Sequence, residues 1–502
     1  MILTPHRLFF ILLLAAQGLV AQVNADRLPG RIPPQYGTPF SGVPDPPDAI
    51  IYQVNIRAFS PTHDFRGVID RLDQIRALGV NVIYLMPVYP VGVLKSFNSP
   101  YCIKDFLSVG PEFGTLTDLR NLVDGAHSRG MAVMLDWVVN QTSWDHPWIR
   151  QHPDWYLHDA EGNIKILGGY TDVAALDFAN PAMRDTLIND MRSWVYTANI
   201  DGFRCDFADN PPVDFWQQAI DTLRKISTHK LLLLAEGTRS ANYAAGFDYN
   251  FGMQFYYNSL KPIFTGSASG LSVSGPSTSA PPVATTPAGP TTSATAAPPS
   301  APAANAAAPT HIASVSATID NSNTVEYTGS TGDRQIVRYL TNHDVDGSDG
   351  APVTMFGGKR GSMAAFVVIA YMKGIPFIYN GQEVAFPAPI TFPFNSVTID
   401  WTINPEITEE YKRIIAFRNS NPVVRRGLLT SYSTNDICAF TKTSGTDQVL
   451  VLSNLRDNIV NYTLPTGLAN TKWIDVFNHR PVSLGVSLSL KPYQYMVLSA
   501  GN

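Results

Sequence analysis

The amino-acid sequence predicts an α/β protein: a (β/α)8 TIM barrel with a small lobe inserted after its third strand, and an antiparallel β domain after the barrel. From about residue 48 to residue 425, apolar strands alternate with helices, which is the pattern of parallel strand pairing. The third predicted strand is followed by an insertion rich in Trp, His and Asp at residues 141–171. At residues 426–502 the alternation gives way to short β segments separated by turn residues.

Length and composition fit this architecture. The chain has 502 residues, of which 45% are hydrophobic, and this suffices for a large barrel and a smaller domain. The 36 Lys and Arg residues stand against 41 Asp and Glu, a net charge of −5. Because nucleic-acid binding needs an excess of basic residues, we expect no nucleic-acid partner. Three cysteines are too few for a disulfide framework. We expect a monomer.

Residues 1–25 have the pattern of a secretory signal peptide. The pair HR at residues 6–7 precedes an apolar run at residues 8–16, and small residues follow at Ala21 and Ala25. The apolar run is too short to span a bilayer comfortably, which favours export over a membrane anchor. We therefore expect cleavage between Ala21 and Ala25, a secreted or periplasmic protein, and no membrane partner.

The barrel elements follow a Pro- and Gly-rich lead-in at residues 26–47, which is expected to be extended. Helices are predicted from apolar residues that recur on one face, and strands from short apolar runs. The predicted strands lie at residues 50–54, 80–86, 131–136, 201–206, 335–340 and 375–379, with a further one ending at Glu236, and the predicted helices at residues 65–78, 116–126, 362–372 and 408–420.

The segment at residues 265–310 has no charged and no aromatic residue. Such a composition cannot bury enough apolar surface to offset the entropy lost on ordering. It could mark a domain boundary or an insertion within one domain. Because the strand–helix alternation resumes after it, we interpret it as a flexible insertion within one barrel.

Three acids end predicted barrel strands: Asp206, Glu236 and Asp344. In barrels of this type the carboxyl ends of the strands form the face that carries active sites. Three acids suit glycosidic cleavage, in which one carboxylate attacks, one carboxylic acid protonates the leaving oxygen and another acid helps to bind the distorted sugar.

Arg204 strengthens the case for Asp206. Residues two apart in a strand share a face, so the guanidinium is expected beside the carboxylate. There it should lower the pKa of Asp206 and keep it ionised, as a nucleophile requires. A purely structural ion pair at a strand end would have the same pattern.

Four segments resemble, in order and spacing, the four signature regions of the α-amylase family, glycoside hydrolase family 13. They are DWVVN at residues 136–140, GFRCD at 202–206, AEG at 235–237 and TNHD at 341–344. Three more segments are similar to that family: SPYCIKDF at residues 99–106, LDFANP at 176–181 and GIPFIYNGQE at 374–383.

The resemblance implies a role for each matching residue. Asp206 matches the nucleophile, Glu236 the general acid/base and Asp344 the stabiliser of the transition state. Glu236 must first carry a proton, which neighbouring carboxylates favour by raising its pKa. The residues that match sugar-binding positions are Tyr101, Asp136, Gln141, Arg204 and His343.

Two departures from the family pattern bear on function. Gln141 stands where the family usually has His, and as a neutral donor it should bind the sugar hydroxyl less strongly. Ala175 stands where an acidic calcium ligand is usual, and calcium needs six to eight oxygens. Asn140 has two open interpretations, a metal ligand or a structural hydrogen-bonding residue. We therefore expect no required cofactor, with calcium as the open alternative.

The predicted function is a secreted retaining glycoside hydrolase that cleaves α-glucosidic bonds in starch-type glucans or maltooligosaccharides by double displacement. A glucan transferase or an α-glucosidase would use the same residues. The alternative from another class is a catalytically silent sugar-binding homologue. The presence of all three acids favours an enzyme, whereas Gln141 is the feature that favours the silent homologue.

Overall fold

The computed structural model describes residues 32–265 and 325–500. The predicted signal peptide at residues 1–25 lies outside the described residues, as does nearly all of the low-complexity insertion predicted at 265–310. Within the described ranges, no helix combines the length and the apolar character needed to cross a membrane.

Eight parallel strands close into a barrel, and this confirms the predicted fold class. Around the barrel the order is β1-β2-β3-β7-β8-β9-β10-β11, and the last strand pairs with the first. The first eleven strands, which comprise these eight and three of the inserted lobe, are β1 (Ile51–Val54), β2 (Val82–Leu85), β3 (Ala132–Trp137), β4 (Gln141–Ser143), β5 (Ile166–Leu167), β6 (Tyr170–Ala175), β7 (Gly202–Cys205), β8 (Leu232–Ala235), β9 (Tyr249–Phe251), β10 (Gln335–Tyr339) and β11 (Ile375–Tyr379).

Helices surround the barrel and connect its strands. The α-helices are α1 (Ile56–Phe59), α2 (Phe65–Ile69), α3 (Leu72–Ala77), α4 (Leu116–Ser128), α5 (Trp148–Gln151), α6 (Pro181–Ala198), α7 (Val213–Arg224), α8 (Ala241–Ala245), α9 (Met253–Phe255), α10 (Lys261–Thr265), α11 (His343–Asp349), α12 (Pro352–Met355), α13 (Gly358–Tyr371), α14 (Pro405–Ser420) and α15 (Pro422–Arg426). Short 3-10 helices occupy Pro46–Asp48, Pro153–Trp155 and Gln382–Val384, and a π-helix occupies Tyr256–Leu260.

The barrel strands are buried on both faces, which explains why they read as nearly continuous apolar runs in the sequence. The sequence analysis missed β9, because its three residues are too few to give a periodic signal.

The single helix predicted at residues 65–78 is wrong, since the chain forms α2 and α3 there. The break lies at Arg71, whose backbone leaves helical geometry with φ −115° and ψ 7°. Its guanidinium lies 4.2 Å from the centre of the Trp401 ring, a contact with a distant segment that local periodicity does not reveal.

The inserted lobe is built on a three-stranded antiparallel sheet in the order β4-β6-β5. Its first strand starts at Gln141, four residues after the end of β3, so the lobe stands at the carboxyl end of the barrel. Trp148 and Trp155 pack edge to face, with ring centres 4.8 Å apart. The lobe was predicted to end at residue 171, but its sheet continues to Ala175, which pairs with Gln141.

The C-terminal domain is antiparallel, as predicted. Its main sheet has the order β12-β13-β14-β19-β16-β17, and β15 pairs with β18. The strands are β12 (Leu428–Ser431), β13 (Ile437–Ser444), β14 (Asp447–Asn454), β15 (Val460–Thr463), β16 (Lys472–Asp475), β17 (Pro481–Ser483), β18 (Ser487–Leu490) and β19 (Tyr495–Ala500). Along β13, Cys438 and Phe440 join the apolar core of the barrel, whereas Ile437 and Ala439 join a separate core. The alternation therefore attaches this domain to the barrel through one face of its sheet.

Candidate active site

The three predicted catalytic acids lie at the carboxyl end of the barrel. Asp206 and Glu236 come directly after β7 and β8. Asp344 lies in the first turn of α11, shortly after β10. Asn342 begins this helix, and its side-chain oxygen accepts hydrogen bonds from the backbone N–H groups of Asp344 and Val345. The cap fixes the direction in which the helix leaves the strand.

The Arg204 guanidinium binds three carboxylates at once. Nη1 lies 2.8 Å from Oδ1 of Asp136 and 2.7 Å from Oδ1 of Asp206, and Nη2 lies 2.8 Å from Oε2 of Glu236. The side chain of Arg204 is 1% exposed. Because β3, β7 and β8 are neighbours in the barrel, acids that end these strands can reach one cation between them.

The pKa of Asp206 departs from the sequence-based expectation. Burial raises the pKa of its carboxyl well above the ordinary value, and this effect outweighs the lowering by Arg204. The sign of the arginine contribution was predicted correctly, but the net direction was wrong. The charges of Glu236 and Asp136 act in the same direction as burial, because a single guanidinium faces all three carboxyls.

The hydrogen bonds of Glu236 leave one of its carboxyl oxygens available for a proton. Its Oε2 already accepts from Arg204 and from the backbone N–H of Phe207, at 2.7 Å. A proton on the carboxyl therefore belongs on Oε1. Burial raises the pKa of Glu236, as does the nearby charge of Asp344, so the group stays protonated to higher pH than an ordinary glutamic acid.

Phe207 donates this bond from a strained backbone. Its φ of 43° is in the left-handed region, which costs a residue with a side chain about 1–2 kcal/mol. The conformation follows directly after the predicted nucleophile. We interpret the strain as part of the arrangement that directs a backbone donor to Glu236.

Asp136 accepts hydrogen bonds from several donors. Besides Arg204 on Oδ1, the hydroxyl groups of Tyr84 and Tyr101 donate to Oδ2 at 2.5 and 2.9 Å. Tyr101 also stacks on His343, with ring centres 5.4 Å apart and planes 12° apart. The predicted sugar-binding residues Tyr101, Asp136, Arg204 and His343 therefore form one connected cluster.

His343 and Asp344 differ in their exposure. The His343 side chain is 4% exposed, whereas that of Asp344 is 58% exposed, and the two approach at 3.4 Å. Burial, with a smaller contribution from Arg204, lowers the pKa of His343 to about 4, so the imidazole is neutral at pH 7. Asp344 is free to contact a ligand from the solvent side.

The Gln141 amide uses its donor within the protein and leaves its acceptor without a partner in the described ranges. Its Nε2 donates to the backbone oxygen of Tyr101 at 3.4 Å, and a carbonyl oxygen can only accept, so the orientation of the amide is determined. The amide oxygen is buried and has no hydrogen-bond partner within the described residues. A sugar hydroxyl could donate to it.

Asn140 acts as a structural hydrogen-bonding residue. Its Nδ2 donates to the backbone oxygen of Asp206 at 3.0 Å, and its Oδ1 accepts from Nδ2 of Asn210 at 2.8 Å. The side-chain oxygen of Asn140, the atom that could ligate calcium, therefore already accepts a hydrogen bond, and the residue in the expected acidic position is Ala175. Across residues 32–265 and 325–500, no group of three or more His, Cys, Asp or Glu side chains could hold a metal ion. These residues do not fit the calcium site that the resemblance implied.

Three residues of this region were missed in the sequence: Gln53 in β1, Tyr84 in β2 and Asn210. The first two had a detectable signal, since each places a polar group within a buried apolar strand, and such a group needs a partner. Asn210 gave no such signal, because it lies in an irregular segment after β7.

Comparison with known proteins gives two family matches. The model of the α-amylase catalytic domain matches residues 53–163, and that of the maltogenic amylase C-terminal domain matches residues 429–497. Among curated relatives, α-amylase MalA of Haloarcula japonica is 30% identical over 223 residues, covering 42% of this chain and 33% of that protein. Trehalose synthase/amylase TreS of Mycobacterium tuberculosis is 34% identical over 196 residues, covering 32% of each chain. The matches thus span about a third of the length of these relatives.

Solved structures share the whole architecture. An α-amylase from Lactobacillus plantarum has a TM-score of 0.73 at 24% identity, covering 91% of this chain and 99% of that one. The noncanonic maltogenic α-amylase AmyB of Thermotoga neapolitana gives the same TM-score, identity and coverage. At this level of identity the likeness concerns the fold.

Proposed function

Since the chain belongs to the α-amylase family, glycoside hydrolase family 13, we propose that it is a retaining glycoside hydrolase that cleaves α-glucosidic bonds in starch-type glucans or maltooligosaccharides. The observation that carries the proposal is the Arg204 guanidinium, which binds Asp136, Asp206 and Glu236 together. It holds a nucleophile and an acid beside each other at the open end of the barrel, as double displacement requires.

In the first step Asp206 attacks the anomeric carbon of the sugar. Within the described part of the chain no donor occupies its Oδ2, so this oxygen is available. Glu236 gives the proton on Oε1 to the glycosidic oxygen, whose bond to the anomeric carbon breaks. The products are a glycosyl ester on Asp206 and a free alcohol. Asp344, whose side chain is 58% exposed, binds the hydroxyl groups of the distorted sugar.

In the second step the ionised Glu236 takes a proton from water, and the resulting hydroxide attacks the anomeric carbon. The ester bond to Asp206 breaks, and the sugar leaves with the configuration it had at the start. A sugar hydroxyl in place of water would give transfer by the same route. Both steps are written with the carboxyl groups of these acids and water alone.

The names of the relatives support an α-glucan substrate. They include α-amylases, a probable oligo-1,6-glucosidase of Bacillus subtilis and maltosyltransferases. A catalytically silent homologue is disfavoured by the three acids and by the completeness of the hydrogen-bonded cluster around Arg204. Export by the signal peptide at residues 1–25 remains part of the proposal, and N-terminal sequencing of protein recovered outside the cytoplasm would test it.

Product analysis tests the proposal. The purified chain is incubated with starch, pullulan, maltooligosaccharides, sucrose and trehalose, and the anomer first released is identified by NMR. We expect α-configured products from starch or maltooligosaccharides. Products longer than the substrate would indicate a transferase, glucose alone would indicate an α-glucosidase, and no reaction with any substrate would overturn the proposal.

The matched control is Asp206→Asn. We expect turnover to fall by a factor on the order of 10³ or more, because the amide cannot form the ester intermediate. Sugar binding, measured by calorimetry, should survive, since Asp136 and Glu236 still hold Arg204 in place. Activity within tenfold of the wild type would exclude Asp206 as the nucleophile.

A further inference from the structure

A polar residue in the barrel interior, Gln53, contacts His343 on two sides. Gln53 lies in β1, is fully buried, and has its Nε2 2.8 Å from Nδ1 of the imidazole. Its Oε1 accepts the backbone N–H of His343 at 3.3 Å. The two residues are 290 positions apart in the chain and meet because β1 neighbours the last strands of the barrel.

These two contacts determine which nitrogen of His343 carries hydrogen. A backbone N–H only donates, so the amide oxygen of Gln53 must face it, and the amide NH₂ then faces the ring. An NH₂ group only donates, so Nδ1 must be the unprotonated nitrogen. A neutral imidazole has a single N–H, which therefore lies on Nε2.

The direction of hydrogen bonding is also determined from His343 to Asp136. Nε2 lies 2.7 Å from the hydroxyl oxygen of Tyr101, so it donates there. The Tyr101 hydroxyl then has its own hydrogen left for Oδ2 of Asp136, at 2.9 Å. The orientation of the Gln53 amide thus determines the direction of each hydrogen bond from Gln53 through His343 and Tyr101 to Asp136. The carboxyl group of Asp136 in turn accepts from Arg204.

We propose that Gln53 is a positioning residue that keeps His343 neutral, with its hydrogen on Nε2. The proposal rests on the proposed function, because its consequence concerns the acid Glu236. An imidazolium at this place would add positive charge near Glu236 and favour loss of the proton that catalysis needs. By donating to Nδ1, Gln53 opposes protonation of that nitrogen.

The charged groups that face His343 do not by themselves enforce neutrality. Asp136 from β3 and Glu236 after β8 favour an imidazolium, Arg204 from β7 opposes it, and Asp344 is adjacent in α11. The other neighbours, Tyr101 and the ring of Phe394 with its centre 5.7 Å away, are uncharged. Burial of His343 already disfavours the imidazolium. With acids on several sides, the donor directed at Nδ1 adds a geometric resistance to protonation of that nitrogen.

Two variants separate this role from simple filling of the core. Gln53→Glu keeps the shape and the acceptor for the backbone N–H of His343, but replaces the donor facing Nδ1 by a second acceptor. Gln53→Met keeps the volume and removes both polar groups. If Gln53 only fills space, both variants should behave like the wild type at His343.

The direct measurement is NMR of protein labelled with ¹⁵N-histidine, without substrate. The His343 signals are assigned by their loss in His343→Gln. We expect the wild type at pH 7 to show an unprotonated Nδ1 and a protonated Nε2. In Gln53→Glu both nitrogens of His343 should be protonated at pH 7. In Gln53→Met the imidazole should no longer carry its hydrogen on Nε2 alone, so signals of both neutral tautomers are expected.

The matched control is Gln382→Glu. Gln382 is also buried, and it donates to the hydroxyl of Tyr411 at 2.8 Å, but it does not contact His343. This variant introduces the same buried group and should leave the His343 signals unchanged. A wild-type His343 protonated on Nδ1, or unchanged signals in a folded Gln53→Glu protein, would overturn the proposal.

A kinetic measurement tests the consequence for Glu236. The basic limb of the pH profile of kcat/KM should move to lower pH in Gln53→Glu by at least about half a unit, because an imidazolium stabilises the Glu236 carboxylate. Gln382→Glu should not move it. An unmoved limb together with a protonated His343 would overturn the link to Glu236. Since the NMR result needs no turnover, it stands or falls separately from the proposed function.

Discussion

Arg204 is the residue on which the geometry of the site depends. A guanidinium has five donors in a fixed plane, which lets it bind Asp136, Asp206 and Glu236 together, and a lysine could not do so with the same geometry. Its Nε has no hydrogen-bond partner within the described residues, so the cation is committed to the acids through its two Nη atoms. Burial, together with the excess of acids over this cation, raises the pKa of Asp206.

Gln141 provides a test of how the site binds sugar. In Gln141→Leu the buried amide oxygen without a partner disappears, so we expect thermal stability to be kept or increased. We also expect kcat/KM to fall about fivefold, because a sugar hydroxyl loses an acceptor that contributes about 1 kcal/mol. Thermal unfolding and steady-state kinetics measure both effects. Unchanged kinetics would show that Gln141 does not contact the substrate.

At the scale of elements, β13 contains a lysine inside the joint between the two domains. Lys442 is 1% exposed and lies on the same face as Phe440, towards the barrel. Within the described residues it has no acidic partner, and its charged neighbours are Arg418 and Lys373. Burial, with a smaller contribution from these two cations, lowers the pKa of Lys442 to about 7.

We predict that Lys442→Met stabilises the protein, and that the gain depends on pH. Between about pH 7 and the ordinary lysine pKa, the unfolded chain binds a proton that the folded chain has released, so wild-type stability rises with pH. The advantage of the variant should therefore be largest at pH 7 or below and shrink by a few kcal/mol towards pH 10. Urea unfolding at several pH values measures it.

The control for this prediction is Lys472→Met in β16, where the lysine is exposed in the same sheet. Its effect on stability should be small and should not vary across this pH range. A gain from Lys442→Met that is equal at pH 6 and pH 10 would mean that the lysine is charged in the folded protein throughout.

At the scale of the whole molecule, an amide pair joins the base of the lobe to the barrel. Asn140 lies in the turn between β3 and β4, and Asn210 follows β7. Their hydrogen bond, together with the bond from Asn140 to the backbone of Asp206, connects the lobe to the predicted nucleophile. A metal ion is not needed for this connection.

We therefore predict that a chelator leaves the protein unchanged. A bound ion stabilises the folded state by mass action, so its removal would lower the melting temperature. With EDTA in excess, calorimetry should show a shift of less than about 2 °C, which for a chain of this size corresponds to less than about 2 kcal/mol. A decrease of many degrees that calcium reverses would contradict the assignment of Asn140.

A second whole-molecule prediction concerns the low-complexity insertion. Deleting residues 267–310 should change the melting temperature little, because a segment without charged or aromatic residues contributes almost nothing to a core. Shortening a long loop also changes its closure entropy only modestly. Activity on maltooligosaccharides should be kept. A variant that fails to fold would disprove the prediction, and a selective loss of activity on starch would assign the segment a role in binding polymer.

The sequence by itself determined the architecture and the acids. Parallel strands buried on both faces are continuous apolar runs, so the alternation of strands and helices could be recognised without coordinates. The acids are found at the ends of those runs, which is why Asp206, Glu236 and Asp344 could be selected. Elements whose ends depend on contacts with distant residues were not predicted. An example is the helix break at Arg71, which contacts Trp401.

Only the tertiary structure decided how the site is protonated and oriented. Whether Asp206 is held ionised depends on how many acids share Arg204, and those acids come from different strands. The donor of Gln141 meets the backbone of Tyr101, and this leaves its buried acceptor without a partner among the described residues. Gln53, which is 290 positions away in the chain, determines which ring nitrogen of His343 carries the hydrogen. Such properties depend on distances between residues that are far apart in sequence, and local patterns carry no information about them.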